Sequence, residues 1–318
     1  MLYKWNLYKL LNLRLKINKK INKSVLIYKE KMTKKRYFIN FAIILILATI
    51  SGFYAGNYYN RNFGRNVAQV TVSEDYVRGD DLTKALKKSS GKTPMDLSAI
   101  ENFVLADHYL SKQTSVHKHV TGAITAVGVK QSLVSDKIIH NGEVYASKIS
   151  VSSFVKVAEV YRHKINEGNV EVYLGDPVSA TEAKFPKTPS STMTVEDYTS
   201  KFGVTPQRLI SLVVGSKTVV DASTVTKNEK GNYTATLQLD TTYSVMNYVN
   251  EIKQTAGSSK LPYFKSVKIV YEIDANWKLL SLTSYENYEV SVAVLGFQEC
   301  SGEIFETYTY DNVEIPSK

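Results

Sequence analysis

The sequence predicts an α+β protein: a curved, half-barrel-like antiparallel β-sheet with packed helices, preceded by one transmembrane helix. Three observations predict it. Strands and helices come in separate runs rather than in β-α-β alternation, and this is typical of the α+β class. Helical spacing of apolar residues is confined to a few short segments, while alternating β-branched residues dominate the rest. An uncharged apolar stretch near the N-terminus supplies the membrane helix.

The formal net charge of +10 is concentrated at the start of the 318-residue chain. Residues 1–65 hold 14 of the 40 Lys and Arg residues and one of the 30 Asp and Glu residues, a net +13, which leaves −3 for the remainder. A mildly acidic main segment offers no basic surface, so we expect no nucleic-acid partner.

The membrane helix is predicted from residues 38–56, FINFAIILILATISGFYAG, which contain no charged residue. About 20 such residues are enough to cross the hydrocarbon core. Lys34, Lys35 and Arg36 precede the stretch and the first acid after it is Glu74, so the N-terminus is expected in the cytoplasm. A cleaved signal peptide is the alternative, although no small-x-small cleavage site follows.

These signals place the protein in the cell membrane as a single-pass protein and divide the chain into four parts. They are a basic cytoplasmic tail (1–36), the transmembrane helix (37–57), a stalk (58–79) and an extracytoplasmic α+β domain (80–318). Residues 1–31 are either a basic amphipathic helix on the inner leaflet or an overextended start upstream of Met32.

The outer domain begins with helical spacing and continues with alternation. Helices are predicted at 80–88 and 96–111, followed by successive antiparallel strands over 117–174, with turns at Asn141-Gly142 and 167–169. Prolines at positions 177, 186 and 189 predict a loop or lid over 176–194.

The second half of the outer domain again has helices together with antiparallel strands, so the domain contains two rounds of helices and strands. Further helices are predicted at 195–202, 205–212 and 241–255, and further strands at 218–226, 233–239, 266–273, 277–295 and 303–310. The two rounds form either one continuous sheet or two modules.

This order of elements resembles the LolA-like superfamily of lipoprotein and lipid carriers. The resemblance covers about residues 80–310 and rests on a membrane signal, the helix at 96–111, the meander at 117–174, the lid-like insertion and the later strands. It implies a half-barrel that holds a hydrophobic ligand. No family motif is matched, so it assigns no residue a role, and a lipid-attachment cysteine near residue 56 is missing.

Tyrosine is the compositional excess, with 22 residues against 11 Phe and 2 Trp. Rings along a concave sheet would offer a ligand apolar area and polar hydroxyls. The alternative source of this abundance is an AT-rich coding sequence, which also yields Lys, Asn and Ile. The candidate ligand-binding residues are Tyr145, Tyr161, Tyr173, Tyr271, Tyr285 and Phe103.

Residues suited to metal or covalent chemistry are few. His117 and His119 lie two apart on a predicted strand, so they point to one face and could form half of a zinc site, the alternative being a solvated strand face. Cys300 is the single cysteine and is expected to be a free, partly buried thiol. No catalytic motif appears, so we expect neither an enzyme nor a cofactor.

The sequence therefore predicts a membrane-anchored binding protein of the cell envelope that holds a lipid-like or peptide ligand. An envelope scaffold that binds another protein is the alternative, and an enzyme is the third. The expected partners are the membrane, through the single helix, and a hydrophobic ligand or an envelope protein.

Overall fold

The computed structural model describes residues 16, 18–20, 22–24, 72–126, 128–152, 156–166, 168–178, 183–202, 204–256, 261–292 and 296–316. The chain divides into two units, residues 1–64 and 65–318. The described residues of the first unit are helical and exposed. None of the helices in these ranges has both the length and the apolar composition that crossing a bilayer requires. The expected membrane helix at 37–57 lies outside the described residues.

The second unit contains the elements expected of an α+β domain. Its helices are α1 (Glu74–Arg78), α2 (Asp81–Ser89), α3 (Ala99–Ser111), α4 (Val195–Phe202), α5 (Thr241–Ser244) and α6 (Tyr248–Ala256). Its strands are β1 (Ser115–Ala126), β2 (Val129–His140), β3 (Glu143–Ser152), β4 (Lys156–Asn166), β5 (Asn169–Leu174), β6 (Asp176–Pro177), β7 (Ala183–Lys184), β8 (Ser191–Thr194), β9 (Val219–Ala222), β10 (Thr226–Lys227), β11 (Tyr233–Leu239), β12 (Tyr263–Ile273), β13 (Leu279–Val292) and β14 (Gly296–Thr309).

Twelve of these strands form one antiparallel sheet that is not closed. The order is β10-β11-β12-β13-β14-β1-β2-β3-β4-β5-β8, and β9 also pairs with β11. The last strand of the second meander, β14, pairs with the first strand of the first meander, β1, from His117 opposite Thr309 to Ala126 opposite Cys300. This pairing joins the two predicted rounds into one sheet.

One face of the sheet, called the inner face below, is covered by helices. Phe103 of α3 is almost fully buried against Tyr271 of β12, with ring centroids 5.4 Å apart in an edge-to-face contact. The Tyr271 hydroxyl donates a hydrogen bond of 2.7 Å to the Ala99 carbonyl oxygen. The helix starts with a capping box, in which Ser98 and Glu101 each satisfy the other's backbone N–H.

Two further helices lie over the same face. The Tyr248 hydroxyl of α6 donates to Glu286 of β13 at 3.1 Å, and the Tyr198 hydroxyl of α4 lies 3.2 Å from His163 Nδ1 of β4. On the opposite, outer face, Val313, which lies near the C-terminus, packs in one cluster with Tyr145 and Phe185.

The folded part of the chain includes residues that the sequence assigns to the stalk. Helix α1 buries Val77 completely, and Arg78 forms a 2.5 Å ion pair with Asp107 of α3. Glu74 accepts two hydrogen bonds from Arg208. Residues 72–79 therefore belong to the domain rather than to a solvated connector.

Most predicted elements are confirmed, including α2, α3, α4 and the two meanders. Five predictions are wrong in detail. The strand predicted at 218–226 is divided into β9 and β10, because residues 223–225 are not in a strand. Gly128, at φ +73°, divides a stretch interpreted as one strand. Residues 205–212 are not helical. The segment 241–255 forms two helices. The predicted loop at 176–194 contains three short strands: β6 pairs with β7, and β8 adds to the sheet beside β5.

Candidate functional site

The centre of the inner face carries two lysines where a covered sheet is normally apolar. Lys118 of β1 and Lys137 of β2 are directly paired across the strands, so both side chains lie on the same face. The Lys118 ammonium contacts Glu306 Oε1 at 2.7 Å and donates to the Leu209 carbonyl oxygen at 2.7 Å. The Lys137 ammonium donates to the Arg208 carbonyl oxygen at 2.5 Å.

The two lysines differ in how their charge is compensated. Glu306 pairs with Lys118, whereas no carboxylate in the described part of the chain forms an ion pair with Lys137. Burial lowers the pKa of Lys137 to about 8, and the positive charges of Lys118 and Arg208 act in the same direction against the attraction of Glu251. Lys118 therefore has a carboxylate in direct contact, whereas Lys137 has the attraction of Glu251 without an ion pair in the described part of the chain.

A mixed, mainly apolar strip continues from the lysines towards the turn at Gly128. The strand register places Val120 and Ser135 next to the pair on the inner face, then Leu133 and Ile304, with Ile124, Gln131 and Val290 farther along. Val120 and Ile304 are buried, while Leu133, Ile124 and Val290 are only partly buried. The inner face therefore changes from cationic at its centre to mainly apolar and partly open towards the strand ends, with Ser135 and Gln131 as polar interruptions.

Glu286 is another ionisable group buried on this face. It is 3% exposed and accepts hydrogen bonds from Ser284 at 2.6 Å and from the Tyr248 hydroxyl at 3.1 Å. Burial raises the pKa of Glu286 to about 7 despite these two donors. This carboxyl consequently exchanges its proton near neutral pH.

The predicted metal candidates lie on the outer face and gain a third residue. His117 Nε2 lies 2.8 Å from Asp136 Oδ1, and His119 Nδ1 lies 2.7 Å from the same oxygen. Asp136 is on β2 directly opposite His119. One potential ligand atom from each residue lies within 4.8 Å of the other two.

The six aromatic candidates are distributed over both faces of the sheet. Phe103 and Tyr271 are core residues beneath α3 on the inner face. Tyr145 and Tyr173 are buried on the outer face, where the Arg162 guanidinium lies 4.5 Å from the Tyr173 ring centroid. Tyr285 is 37% exposed on that outer face, and the backbone of Tyr161 pairs with Ala146 and Leu174. The described side chains therefore do not line one shared surface.

Cys300 lies buried at the inner face of β14. Burial raises the pKa of its thiol to about 11, so the thiol is protonated at neutral pH. Its sulfur donates a weak hydrogen bond of 3.7 Å to the Gln298 carbonyl oxygen. A protonated, buried thiol is a poor nucleophile.

No family model matches the chain, and no curated protein matches it.

The sequence pattern did not identify Lys137 or Asp136. The signal that could have found them is Gly128, because a turn there sets the β1–β2 register and places Lys137 opposite Lys118 and Asp136 opposite His119.

Proposed function

We propose that this protein is a membrane-anchored binding module of the cell envelope whose ligand is an amphiphile with one anionic group. The observation that carries the proposal is the lysine pair at the centre of the helix-covered face, followed by a partly open apolar strip. An acidic group would contact Lys137 and the apolar part would follow Leu133 and Ile124 towards the strand ends.

Electrostatics supports an anionic ligand in particular. Burying an ammonium group is costly unless it is paired, and Lys118 already has Glu306 as its partner. A carboxylate or phosphate at Lys137 would supply a negative charge in direct contact and accept hydrogens of the ammonium that the Arg208 carbonyl leaves free. Buried, perturbed ionisable groups are concentrated at functional sites in proteins generally.

The overall architecture is consistent with a carrier. Helices α3, α4 and α6 all contact the inner face, at strands from β12 to β4. A sheet that curves around helices from β12 to β4 would be half-barrel-like. The order of elements, which resembles that of the LolA-like superfamily, favours a hydrophobic ligand.

Photo-crosslinking in cells tests the proposal with the full chain. Cells are fed a fatty acid carrying a diazirine and an alkyne, irradiated, and the labelled peptides are identified by mass spectrometry. We expect labelled peptides from residues 118–137 in addition to the membrane segment at 38–56, which serves as the internal control. Lys137→Met should remove the label from 118–137, and Lys130→Met, an exposed lysine of the same strand, should leave it unchanged. Label confined to residues 38–56 would contradict the proposal.

The anchor is a separate part of the proposal and has its own test. In a Cys300→Ala background, a cysteine at Asn66→Cys should react with a membrane-impermeant maleimide in intact cells, and one at Ser24→Cys should react only after lysis. Equal labelling of both cysteines in intact cells would exclude this topology.

A further inference from the structure

On the outer face of the sheet, three side chains from the neighbouring strands β1 and β2 lie close together. Alternation along β1 places His117 and His119 on one face, and the β1–β2 register adds Asp136 directly opposite His119. All three lie on extended strands of the sheet rather than on loops, so their backbones are held by the ladder hydrogen bonds of β14, β1, β2 and β3.

We propose that His117, His119 and Asp136 form a binding site for a divalent transition-metal ion of the Zn²⁺ class, with at least one coordination position open to solvent. The site lies on the opposite face from the lysine pair and is independent of the proposed amphiphile binding.

The present hydrogen bonds show how an ion would enter. A carboxylate only accepts hydrogen bonds, so His117 donates from Nε2 and His119 from Nδ1 to the single oxygen Asp136 Oδ1. An arriving cation would bind these same nitrogens as each neutral imidazole changes tautomer, its proton moving through solvent to the other ring nitrogen.

The distances are compatible with this exchange. Zinc binds histidine nitrogen at about 2.0–2.1 Å and carboxylate oxygen at about 2.0–2.2 Å, so ligand atoms around a tetrahedral ion lie roughly 3.3 Å apart. The two nitrogen–oxygen distances of 2.8 and 2.7 Å would therefore lengthen by about half an ångström, which a rotation of the Asp136 side chain can provide.

The donor set selects the class of ion. Two imidazoles and one carboxylate suit Zn²⁺ and its neighbours in the first transition row, whereas Ca²⁺ and Mg²⁺ prefer oxygen ligands. Three protein ligands leave a fourth tetrahedral position for water. The side chains of His117, His119 and Asp136 are 34%, 43% and 26% exposed, so an ion reaches them without opening the fold.

Calorimetric titration of the full chain with ZnCl₂ tests the site. The protein is purified in detergent with a tag that contains no histidine and is first stripped with EDTA. We expect one Zn²⁺ per chain and no heat from CaCl₂. His117→Ala, His119→Ala and Asp136→Asn should each weaken binding by about tenfold or more. The control His108→Ala, which changes a histidine of α3 outside the cluster, should leave binding unchanged. Zinc binding that survives all three substitutions, or no binding by the unaltered chain, would overturn the proposal.

A footprint on the unaltered chain keeps the test independent of variant folding. Diethyl pyrocarbonate modifies accessible imidazoles, and Zn²⁺ should protect His117 and His119 while His108 stays reactive. Protection of other histidines in place of this pair would show that the cluster is only a hydrogen-bonded cross-strand contact.

Discussion

Glu286 shows how burial makes a single residue sensitive to pH. Its pKa is about 7 in the folded protein and near 4.5 when unfolded, so between these values the folded state binds more protons. The free energy of unfolding therefore falls as the pH rises from about 4.5 to 7, and the penalty is complete above pH 7.

Glu286→Gln removes this penalty while keeping a polar side chain between Ser284 and Tyr248. We expect the free energy of unfolding at pH 8 to rise by roughly 1–3 kcal/mol and the difference to vanish near pH 4. Urea unfolding of the full chain in micelles at several pH values measures it. Glu303→Gln, an exposed carboxylate on β14, is the matched control and should change little. A constant difference across this pH range would contradict the burial argument.

Lys137 makes the stability depend on pH in the opposite direction from Glu286. Its pKa is lowered to about 8 in the folded protein against 10.5 when unfolded, so the unfolded state binds more protons between these values. The ligand-free protein should therefore gain stability as the pH rises from 8 to 10.5. Lys137→Met should be more stable than the unaltered chain at pH 7, with an advantage that shrinks towards pH 10.5, as measured by the same unfolding experiment. Lys130→Met should show no such trend.

At the residue scale, the sequence identified two of the three side chains that cluster on the outer face, His117 and His119, but not the lysine pair of the inner face. Strand alternation alone places His117 beside His119, but Asp136 and Lys137 join their partners only through the register of a neighbouring strand. The abundance of tyrosine did not predict a shared ligand-binding surface correctly. The described tyrosines lie in the core, in the packing of the outer face and at the exposed surface.

At the scale of single elements, α3 is the helix that the main core depends on most clearly. Phe103 is 1% exposed and packs on Tyr271 of the sheet. Phe103→Ala should lower the free energy of unfolding by about 3–5 kcal/mol, since it removes buried apolar surface and leaves a cavity. The control Met95→Ala changes a 52% exposed side chain near the same helix and should cost little. Equal losses for both variants would show that α3 does not pack as described.

Apolar residues at helical spacing predicted α3 and α4 well, although the structure begins α3 at Ala99, after the cap Ser98, rather than at residue 96. Local signals failed at 205–212, where Thr205-Pro206 suggests a helix start. There the carbonyl oxygens of Arg208 and Leu209 accept hydrogen bonds from Lys137 and Lys118. These carbonyl oxygens, which in a helix would accept backbone N–H groups, accept the lysine side chains of the sheet instead.

At the scale of the whole molecule, the pairing of β14 with β1 decides that the domain has one sheet. This contact joins residues nearly 200 positions apart, and no local sequence pattern specifies it. Local periodicity could therefore predict the two meanders and the antiparallel pairing within each, but not the pairing of β14 with β1 that joins them into one sheet.

A single continuous sheet should unfold cooperatively. Pulsed hydrogen exchange along a urea titration should show peptides from β2 and β12 losing protection at the same urea concentration. Two separate midpoints would indicate two independent modules.

Native mass spectrometry of the full chain released from micelles tests the central claim, that this is a binding module for an anionic amphiphile. We expect a population heavier than the chain by a few hundred daltons, with the added species recovered as an acidic amphiphile, and its absence in Lys137→Met but not in Lys130→Met. A bare chain mass, or a stoichiometric protein partner with no small molecule, would contradict the claim.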